Sequence, residues 1–298
     1  MCRRLVFCVT VAVTVVTFWN LENYFDPFDD PVTQDDEFTA KGEKRWTWKR
    51  FERKRNGIAK VLMAAGQYGE LPSIAAFAEV ENKMVLRQLI RETALDRLDY
   101  DVIHRDSPDA RGIDVGLIYR KSSFKPLSVL PLRVSEDFAT RDILYVKGVL
   151  KEDTVHILVN HWPSKRGGAA ASGLRRQAAE TVLSKAVDSI SLVSGGQRII
   201  ALGDFNDIPE NLSIPLHNLA AGPASEGEGT LKYRGRWEMI DQCFVNDTSG
   251  CSFFVFKPMF LMEQDRSFTG FKPKRTFIGP RYNGGISDHL PVIITIVE

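Results

Sequence analysis

Five apolar runs in this chain each end in a short group of acidic, amide or imidazole side chains. In the clearest of them, an apolar segment stops at Gly203 and is followed by Asp204 and Asn206. This pattern is typical of a buried strand that delivers polar groups to one edge of a sheet. Asp204 and Asn206 are two apart, so an extended chain would point both side chains to the same side. An Asx-rich turn explains the same residues, so this run alone leaves function open.

The other four runs have the same form. Their polar ends are Asn20-Leu21-Glu22-Asn23, Ala78-Glu79-Val80, Asn160-His161-Trp162-Pro163 and Ser287-Asp288-His289-Leu290-Pro291. The chain has 298 residues, of which 44% are hydrophobic, and this is enough to bury one sizeable core. Five edges of this kind are better explained by one shared site than by five unrelated turns.

Taken in order, these motifs resemble the endonuclease/exonuclease/phosphatase superfamily, the family of DNase I and the AP endonucleases. The resemblance covers about Val11 to the C-terminus. It implies an α/β fold, a four-layered α/β sandwich of two packed mixed β-sheets flanked by helices, with the site at one end between the sheets. Predicted strands that alternate with helices, but also form hairpins, independently favour two mixed sheets over one doubly wound sheet. We therefore expect residues 11–298 to form a single domain.

The N-terminus leaves two interpretations open. Arg3-Arg4 before an apolar run resembles a secretory leader, which would make residues 1–10 a leader remnant. The same run is rich in Val and Thr, which favour a first strand, and Val13 to Thr17 must lead into Asn20. The run is too short to span a bilayer, so no transmembrane segment is predicted, and the cellular location stays open.

Hydrolysis of a phosphate ester requires neutralisation of phosphoryl charge, activation of a water and stabilisation of the leaving oxygen. Carboxylate and amide oxygens suit Mg²⁺ or Mn²⁺. Glu79, Glu22, Asn20 and Asp288 are the candidate metal ligands, and the scarcity of His and Cys near them argues against zinc. The alternative for Glu79 is a charge favoured by the dipole of the following helix.

Acid–base chemistry is predicted for His289. It follows Asp288 directly, so in an extended segment the two side chains face different ways, and one can bind metal while the other moves a proton. The histidine needs an orienting carboxylate, for which Asp241 in Met239-Ile240-Asp241-Gln242 is the best candidate. The resemblance implies the same pairing.

The remaining site predictions concern the phosphate. His161 is predicted to contact a phosphate oxygen or shield the leaving group. A histidine at this position resembles the DNase I and phosphatase branches of the family, since AP endonucleases have a Tyr at the matching position. Asp204 and Asn206 are predicted to position the water and hold a phosphate oxygen, and Asp114 to orient His161. The candidate phosphate clamps, for which solvated surface charge is the alternative, are Arg111, Lys165 and Arg166.

A basic stretch from Lys41 to Lys60 holds nine Lys or Arg residues against two Glu. Ile58, Val61, Leu62 and Ala65 follow a helical period, so a helix that buries this stripe is predicted. Its charges are either a solvated helix face or a phosphate-binding ridge with Trp46 and Trp48 as stacking groups. The formal net charge of +1 gives no global field toward nucleic acid.

Two functions in this fold remain open from the sequence. The first is a divalent-metal-dependent phosphodiesterase, a DNase I-like endonuclease, with DNA as one candidate substrate. The alternative is a phosphatase or phosphodiesterase on an inositol phosphate, a phospholipid or another small phosphate ester. A catalytically inactive binding module would lack residues at the metal and base positions. Every matched motif position is filled here, which disfavours that alternative. A monomer is expected.

Overall fold

The computed structural model describes residues 13–164 and 169–297. Its α-helices are Trp48–Ala65 (α1), Lys83–Arg91 (α2), Ala169–Val193 (α3) and Ala221–Ser225 (α4). Short 3₁₀ turns cover Asp36–Phe38, Gly66–Tyr68, Ala94–Leu98, Pro209–Asn211 and Met259–Leu261. The strands are Val13–Tyr24 (β1), Ile74–Val80 (β2), Tyr100–His104 (β3), Asp114–Arg120 (β4), Phe124–Leu132 (β5), Ile143–Leu150 (β6), Asp153–His161 (β7), Arg198–Asp204 (β8), His217–Asn218 (β9), Leu231–Tyr233 (β10), Arg236–Glu238 (β11), Asp241–Val245 (β12), Cys251–Val255 (β13), Met262–Gln264 (β14), Phe271–Pro273 (β15), Phe277–Ile278 (β16), Arg281–Tyr282 (β17) and Val292–Val297 (β18).

Two six-stranded mixed sheets form the body of the protein. The first sheet has the order β13-β18-β1-β2-β4-β3, and the second has the order β5-β6-β7-β8-β12-β9. In each sheet one central pair is parallel, β1 with β2 and β7 with β8, whereas the other neighbours are antiparallel. This is the predicted sandwich of two packed sheets flanked by helices.

The core follows from apolar strands that are buried on both faces. Phe18, Ile74, Ile157 and Leu202 are fully buried and belong to one cluster that joins the two sheets. A second cluster lies between the second sheet and α3, which contributes Leu183 among others. Burial of each such side chain contributes about 1.5–3 kcal/mol, so this core fixes the register of both sheets.

Several local predictions are confirmed. Val13–Thr17 belongs to β1, and the predicted stripe of α1 is buried from Ile58 to Ala65. Asn82 accepts hydrogen bonds from the N–H groups of Met84 and Val85, so it is the N-cap of α2. Helix α2 ends at Arg91, and a 3₁₀ turn covers Ala94–Leu98. The predicted role of residues 1–10 falls outside the described residues.

The ends of β1 and β2 are distorted where they reach the candidate site. Glu22, Asn23 and Glu79 have φ of 49°, 59° and 58°, in the left-handed region that non-glycine residues rarely adopt. The β1–β2 register shifts between Asn20 and Tyr24. Each such residue costs on the order of 1–3 kcal/mol and persists only where its surroundings hold it in place.

Candidate active site

Three neighbouring strands of the second sheet carry a row of polar side chains at one end. The pairing runs from His161 on β7 to Asp204 on β8 and on to Asp241 on β12. β7 and β8 are parallel, so both deliver their last residues to this edge, and antiparallel β12 brings its first residue there. All three side chains are buried. The regular register of the sheet therefore fixes their spacing.

His289 faces this row from the loop that precedes β18. Its Nδ1 lies 2.8 Å from Oδ2 of Asp241, and its Nε2 lies 4.0 Å from Oδ2 of Asp204. The loop is held by Ser287, whose hydroxyl accepts from the N–H of His289 at 3.0 Å and donates to the carbonyl of Asn20 at 2.7 Å. The predicted His289–Asp241 contact is therefore present, and the loop is anchored to β1.

The first sheet contributes Glu79 and Glu22 from its distorted strand ends. The N–H of Asn23 donates to Oε2 of Glu79 at 2.7 Å. The amide of Asn20 donates to Oδ2 of Asp204 at 2.9 Å and accepts from the N–H of Glu22 at 2.9 Å. Asn20 thus bridges the two sheets from behind the cleft, while Glu22 and Glu79 line it. Direct metal ligation by Asn20 stays a prediction.

Arg275 joins Glu22 and Asp288 at the cleft. Its Nε lies 3.3 Å from Oε1 of Glu22, and its Nη2 lies 2.8 Å from Oδ2 of Asp288. The backbone N–H of Thr276 donates to the other oxygen of Glu22 at 2.6 Å. The segment around Arg275 therefore holds both carboxylates in position, although no motif or spacing in the sequence distinguishes Arg275.

Lys54 supports the same acid from inside the protein. It is 1% exposed, and its Nζ donates to the carbonyl oxygen of Glu22 at 2.6 Å and to Oγ1 of Thr276 at 2.8 Å. The Trp46 ring lies 6.0 Å from the ammonium. Lys54 thus holds the left-handed residue Glu22 in place.

The carboxylates of the site are crowded. Burial, and then the charge of Asp288, raise the pKa of Glu22 to about 7. Burial, and then the charge of Asp241, raise the pKa of Asp204 to about 7. Both shifts mean that negative charge is disfavoured in the protein alone, and a bound cation would relieve it.

The two histidines of the site are shifted in opposite directions. Burial, and then Arg141 and Arg111, lower the pKa of His161 well below its ordinary value. Burial also opposes the charged form of His289, but the charge and hydrogen bond of Asp241, together with the charges of Asp204 and Asp288, raise the pKa of His289 well above its ordinary value. The site therefore pairs a neutral imidazole with one that readily holds a proton.

Two further predicted residues line the cleft in different ways. Asn206 does not continue the strand, because its φ of 51° places it in a turn where its N–H donates to Oδ1 of Asp204 at 2.9 Å. Its side-chain amide donates to the carbonyl of Trp162 at 2.8 Å. Both the Asx turn and the site placement are therefore present. Arg111 also lines the cleft, whereas Lys165 and Arg166 lie outside the described residues.

The predicted pairing of Asp114 with His161 is not present. Oδ2 of Asp114 lies 3.3 Å from Nε2 of His104, and its Oδ1 accepts from the hydroxyl and the N–H of Ser107. The reason is topological, because β4 pairs with β3 at the edge of the first sheet. Among the described residues, Nδ1 of His161 has no hydrogen-bond partner.

Arg141 replaces Asp114 as the residue that fixes the His161 segment. Its Nε donates to the carbonyl of His161 at 3.3 Å, and its Nη2 donates to the carbonyl of Trp162 at 2.8 Å. The guanidinium is itself held by Asp109 at 2.9 Å. No spacing pattern in the sequence distinguishes Arg141 from other arginines.

The outer wall of the cleft consists of two short hairpins, β10–β11 and β14–β15. Lys232 and Tyr233 of the first and Lys272 of the second line the cleft, whose volume is about 660 Å³. None of the described residues of the Lys41–Lys60 stretch lines it. Trp46 is fully buried, so its predicted stacking role is wrong, and Trp48 packs edge-on against Phe28 and Phe51.

The donors around the cleft fit a hard divalent cation. Glu22, Glu79 and Asp288 supply carboxylate oxygens that line one side. A second group of residues, Asp204, Asp241 and His289, has ligand atoms that lie within 4.8 Å of one another. In that second group Nδ1 of His289 is committed to Asp241, which does not line the cleft, so the first group fits better.

Two packed mixed sheets with acids and a His–Asp pair at one end define a metal-dependent phosphate-ester hydrolase of the DNase I-like fold. The chain belongs to the Endonuclease/Exonuclease/phosphatase family, whose profile matches residues 15–298. No curated protein matches the chain significantly. No helix in the described part of the chain is long and apolar enough to cross a membrane.

Solved structures with the same fold share little sequence with the chain. Truncated Caenorhabditis elegans TDP2 is 16% identical, with 96% of this chain and 98% of that chain covered and a TM-score of 0.63. D. rerio TDP2 complexed with single strand DNA product is 13% identical, with 95% and 98% covered and a TM-score of 0.58. The human Nocturnin catalytic domain with bound sulfate anion is 17% identical, with 96% and 94% covered and a TM-score of 0.59.

Proposed function

We propose that the protein is a divalent-metal-dependent phosphodiesterase that cleaves nucleic acid. The observation that carries the proposal is the position of His289 between Asp241, at 2.8 Å, and the open cleft, whose lining also includes the carboxylates of Glu22, Glu79 and Asp288. The His289–Asp241 pair can move a proton while the carboxylates hold a cation, and metal-dependent phosphodiester hydrolysis uses both.

In this proposal Glu22, Glu79 and Asp288 hold Mg²⁺ or Mn²⁺, with Asn20 in support. The ion would neutralise charge on the phosphoryl group. Arg275 binds two of these acids and lies at the cleft, so it limits repulsion between them and the substrate.

His289 would act as the general base of the reaction in its neutral form, which a bound cation beside Asp288 would favour by opposing the charges that raise the pKa of His289. Its Nδ1 is committed to Asp241, which fixes the ring so that Nε2 faces Asp204 across 4.0 Å. A water in this gap can donate to Asp204 and lose its proton to Nε2 of His289. Asp241 then stabilises the imidazolium that forms.

His161 and Asn206 are the proposed hydrogen-bond donors to the phosphate oxygens. His161 is neutral because burial lowers its pKa, so its ring N–H can donate to an oxygen without adding charge. Its Nε2 lies 3.8 Å from Oδ2 of Asp204, beside the proposed water position. Arg111 lies at the cleft as a further phosphate contact.

Charge and fold support nucleic acid as the substrate. The cleft wall supplies Arg111, Lys232, Lys272 and Arg275. A structural neighbour, D. rerio TDP2, was solved with a single strand DNA product. The cleft volume of about 660 Å³ also suits a small phosphate ester, which is the second candidate substrate class.

A hydrolysis panel tests the proposal. It contains a single-stranded oligonucleotide, supercoiled plasmid, bis-p-nitrophenyl phosphate, an inositol polyphosphate and sphingomyelin, each with Mg²⁺, with Mn²⁺ and with EDTA. We expect metal-dependent cleavage of nucleic acid that His289→Ala abolishes and the matched control His217→Ala, an exposed histidine on β9, leaves intact. Turnover of the inositol or lipid ester without nucleic-acid cleavage would replace the proposed substrate with the second class.

A further inference from the structure

The β10–β11 hairpin leads outward from the catalytic end of the molecule. Leu231 forms an isolated antiparallel bridge with His289, and the N–H of Leu290 donates to the carbonyl of Thr230 at 2.8 Å. Two residues further along the strand, about 7 Å from Leu231 by the rise of an extended chain, lies Tyr233. Tyr233 lines the cleft, yet 54% of it is exposed.

The hairpin holds Tyr233 rigidly. Its two-residue turn has both positions in the left-handed region, with φ of 47° at Arg234 and 82° at Gly235, as expected for the tight turn of a β-hairpin. The ring of Phe268 packs on Gly235, where an added Cβ would lie 2.8 Å from it. Lys232 donates to the carbonyl of Thr269 at 2.7 Å. The second hairpin therefore braces the first.

The two hairpins that carry and brace Tyr233 hold exposed aromatic and cationic side chains, and Glu238 of β11 adds a carboxylate to the cleft lining. Arg234 lies 5.2 Å from the ring centroid. Phe268 and Phe271 on the bracing hairpin are 48% and 47% exposed. The exposed cations of the two hairpins include Arg234, Arg236 and Arg266. The acid Asp265 is buried and already paired with Lys232 at 3.2 Å.

We propose that Tyr233 is the stacking platform for an unpaired nucleobase next to the scissile phosphate, so that the substrate is a single-stranded segment. The inference rests on the proposed function and deepens it. An exposed aromatic ring interleaved with cations is the arrangement that binds single strands, because each base offers a π-face and each nucleotide a negative charge. Within a duplex both faces of a base are covered by its neighbours, so the platform selects unpaired segments.

Binding without hydrolysis tests the platform independently of catalysis. The probe is a short fluorescein-labelled oligothymidylate, measured by anisotropy in EDTA with the full chain. We expect Tyr233→Ala to weaken binding about tenfold and Tyr233→Trp to retain it, since stacking survives in Trp. Tyr68→Ala, a 40% exposed tyrosine outside the cleft lining, is the matched control and should bind as the wild type does.

An abasic strand of the same length identifies stacking as the cause. The wild type should bind the abasic strand about as weakly as Tyr233→Ala binds oligothymidylate. Tyr233→Ala should bind the abasic strand with the same affinity as the wild type. Equal binding of oligothymidylate by the wild type and Tyr233→Ala, or failure of the wild type to bind it, would overturn the platform. If Tyr233→Ala loses binding to anionic phospholipid vesicles and binds oligothymidylate as the wild type does, the platform is also overturned and the ring is assigned to a lipid surface.

The two proposals fail in different ways. If Tyr233→Ala loses oligothymidylate binding while the wild type cleaves no strand with Mn²⁺, the platform stands and the phosphodiesterase function is wrong. If the wild type cleaves the strand and Tyr233→Ala binds and cleaves it equally well, the function stands and the platform is wrong.

Discussion

The two sheets build their halves of the candidate site on different kinds of backbone. The second sheet places His161, Asp204 and Asp241 in one row of regular strand pairs. The first sheet places Glu22 and Glu79 on residues with positive φ at shifted strand ends. Proton transfer depends on short, fixed distances, which a regular sheet provides.

The distorted half is suited to a different task. Its acids belong to strand ends and loops whose conformation is held by partners, among them Lys54, Asn20 and Thr276. Oxygen ligands for a cation must converge from several directions, and regular strands cannot supply such directions. The comparison predicts that substitutions in the regular row change the rate, whereas substitutions in the distorted half change metal binding.

The largest effect is expected at the regular row and at His289, the loop residue that faces it. His289→Ala and Asp241→Asn should each lower kcat about 100- to 10,000-fold, because the base or its orientation is lost. Calorimetric titration with Mn²⁺ should give the wild-type affinity for both variants. A large loss of Mn²⁺ affinity in either variant would break the comparison, because the row would then belong to the metal site.

Glu79→Gln and Glu22→Gln test the distorted half. Each should weaken Mn²⁺ binding by more than about 100-fold, since loss of an outer-shell partner alone costs about 10- to 100-fold. In EDTA, Glu22→Gln should be at least as stable as the wild type, because it removes a charge that burial and Asp288 disfavour. Thermal unfolding with and without Mn²⁺ measures both effects. Full stabilisation of either variant by Mn²⁺ would contradict the ligand assignment.

Lys54→Met tests whether the hydrogen bond from the buried Lys54 to the Glu22 carbonyl shapes the metal site. The substitution leaves the Glu22 carbonyl without its donor, and Mn²⁺ affinity should fall about 10- to 100-fold. The matched control is Lys49→Met, an exposed lysine on the same helix, which should change nothing. A lower unfolding temperature in EDTA combined with unchanged Mn²⁺ affinity would assign Lys54 to the fold alone.

Sequence reasoning identified the regular row because its signal is simple. Apolar runs that end in His161 and Asp204 predict strands whose ends meet. The prediction for Asn206 was incomplete, because a left-handed residue after the strand turns the chain away from the extended geometry that the spacing assumed. The Asp114 prediction failed because placement of β4 beside β3 is a tertiary feature.

The supporting residues carried weaker signals. Lys54 looks like one more charge of a basic helix, yet it lies four positions before Ile58 and therefore on the buried stripe. That phase was readable from the sequence. Arg275 and Tyr233 belong to short hairpin segments without long periodic patterns, so their position beside the cleft depends on packing that no local pattern records.

The smallest effect is expected away from the site, at the other histidine of β7. His156 is buried, with Nδ1 2.8 Å from the Tyr145 hydroxyl and Nε2 2.8 Å from Oε1 of Gln197. Burial lowers the pKa of His156, the hydrogen bond that its Nε2 donates to Oε1 of Gln197 opposes this, and the charge of Lys147 lowers the pKa further.

The sign of the pH dependence at His156 follows from this shift. Below the ordinary value of 6.5 the unfolded chain binds the proton before the folded protein does, so stability is present above that pH and is lost as pH falls. The free energy of unfolding of wild type minus that of His156→Gln should therefore decrease between about pH 7.5 and pH 5. The shift at His161 is shared by both proteins and cancels in this difference. A pH-independent difference, measured by urea unfolding, would show that His156 contributes packing alone, and the two histidines of β7 would then differ in electrostatics as well as in position.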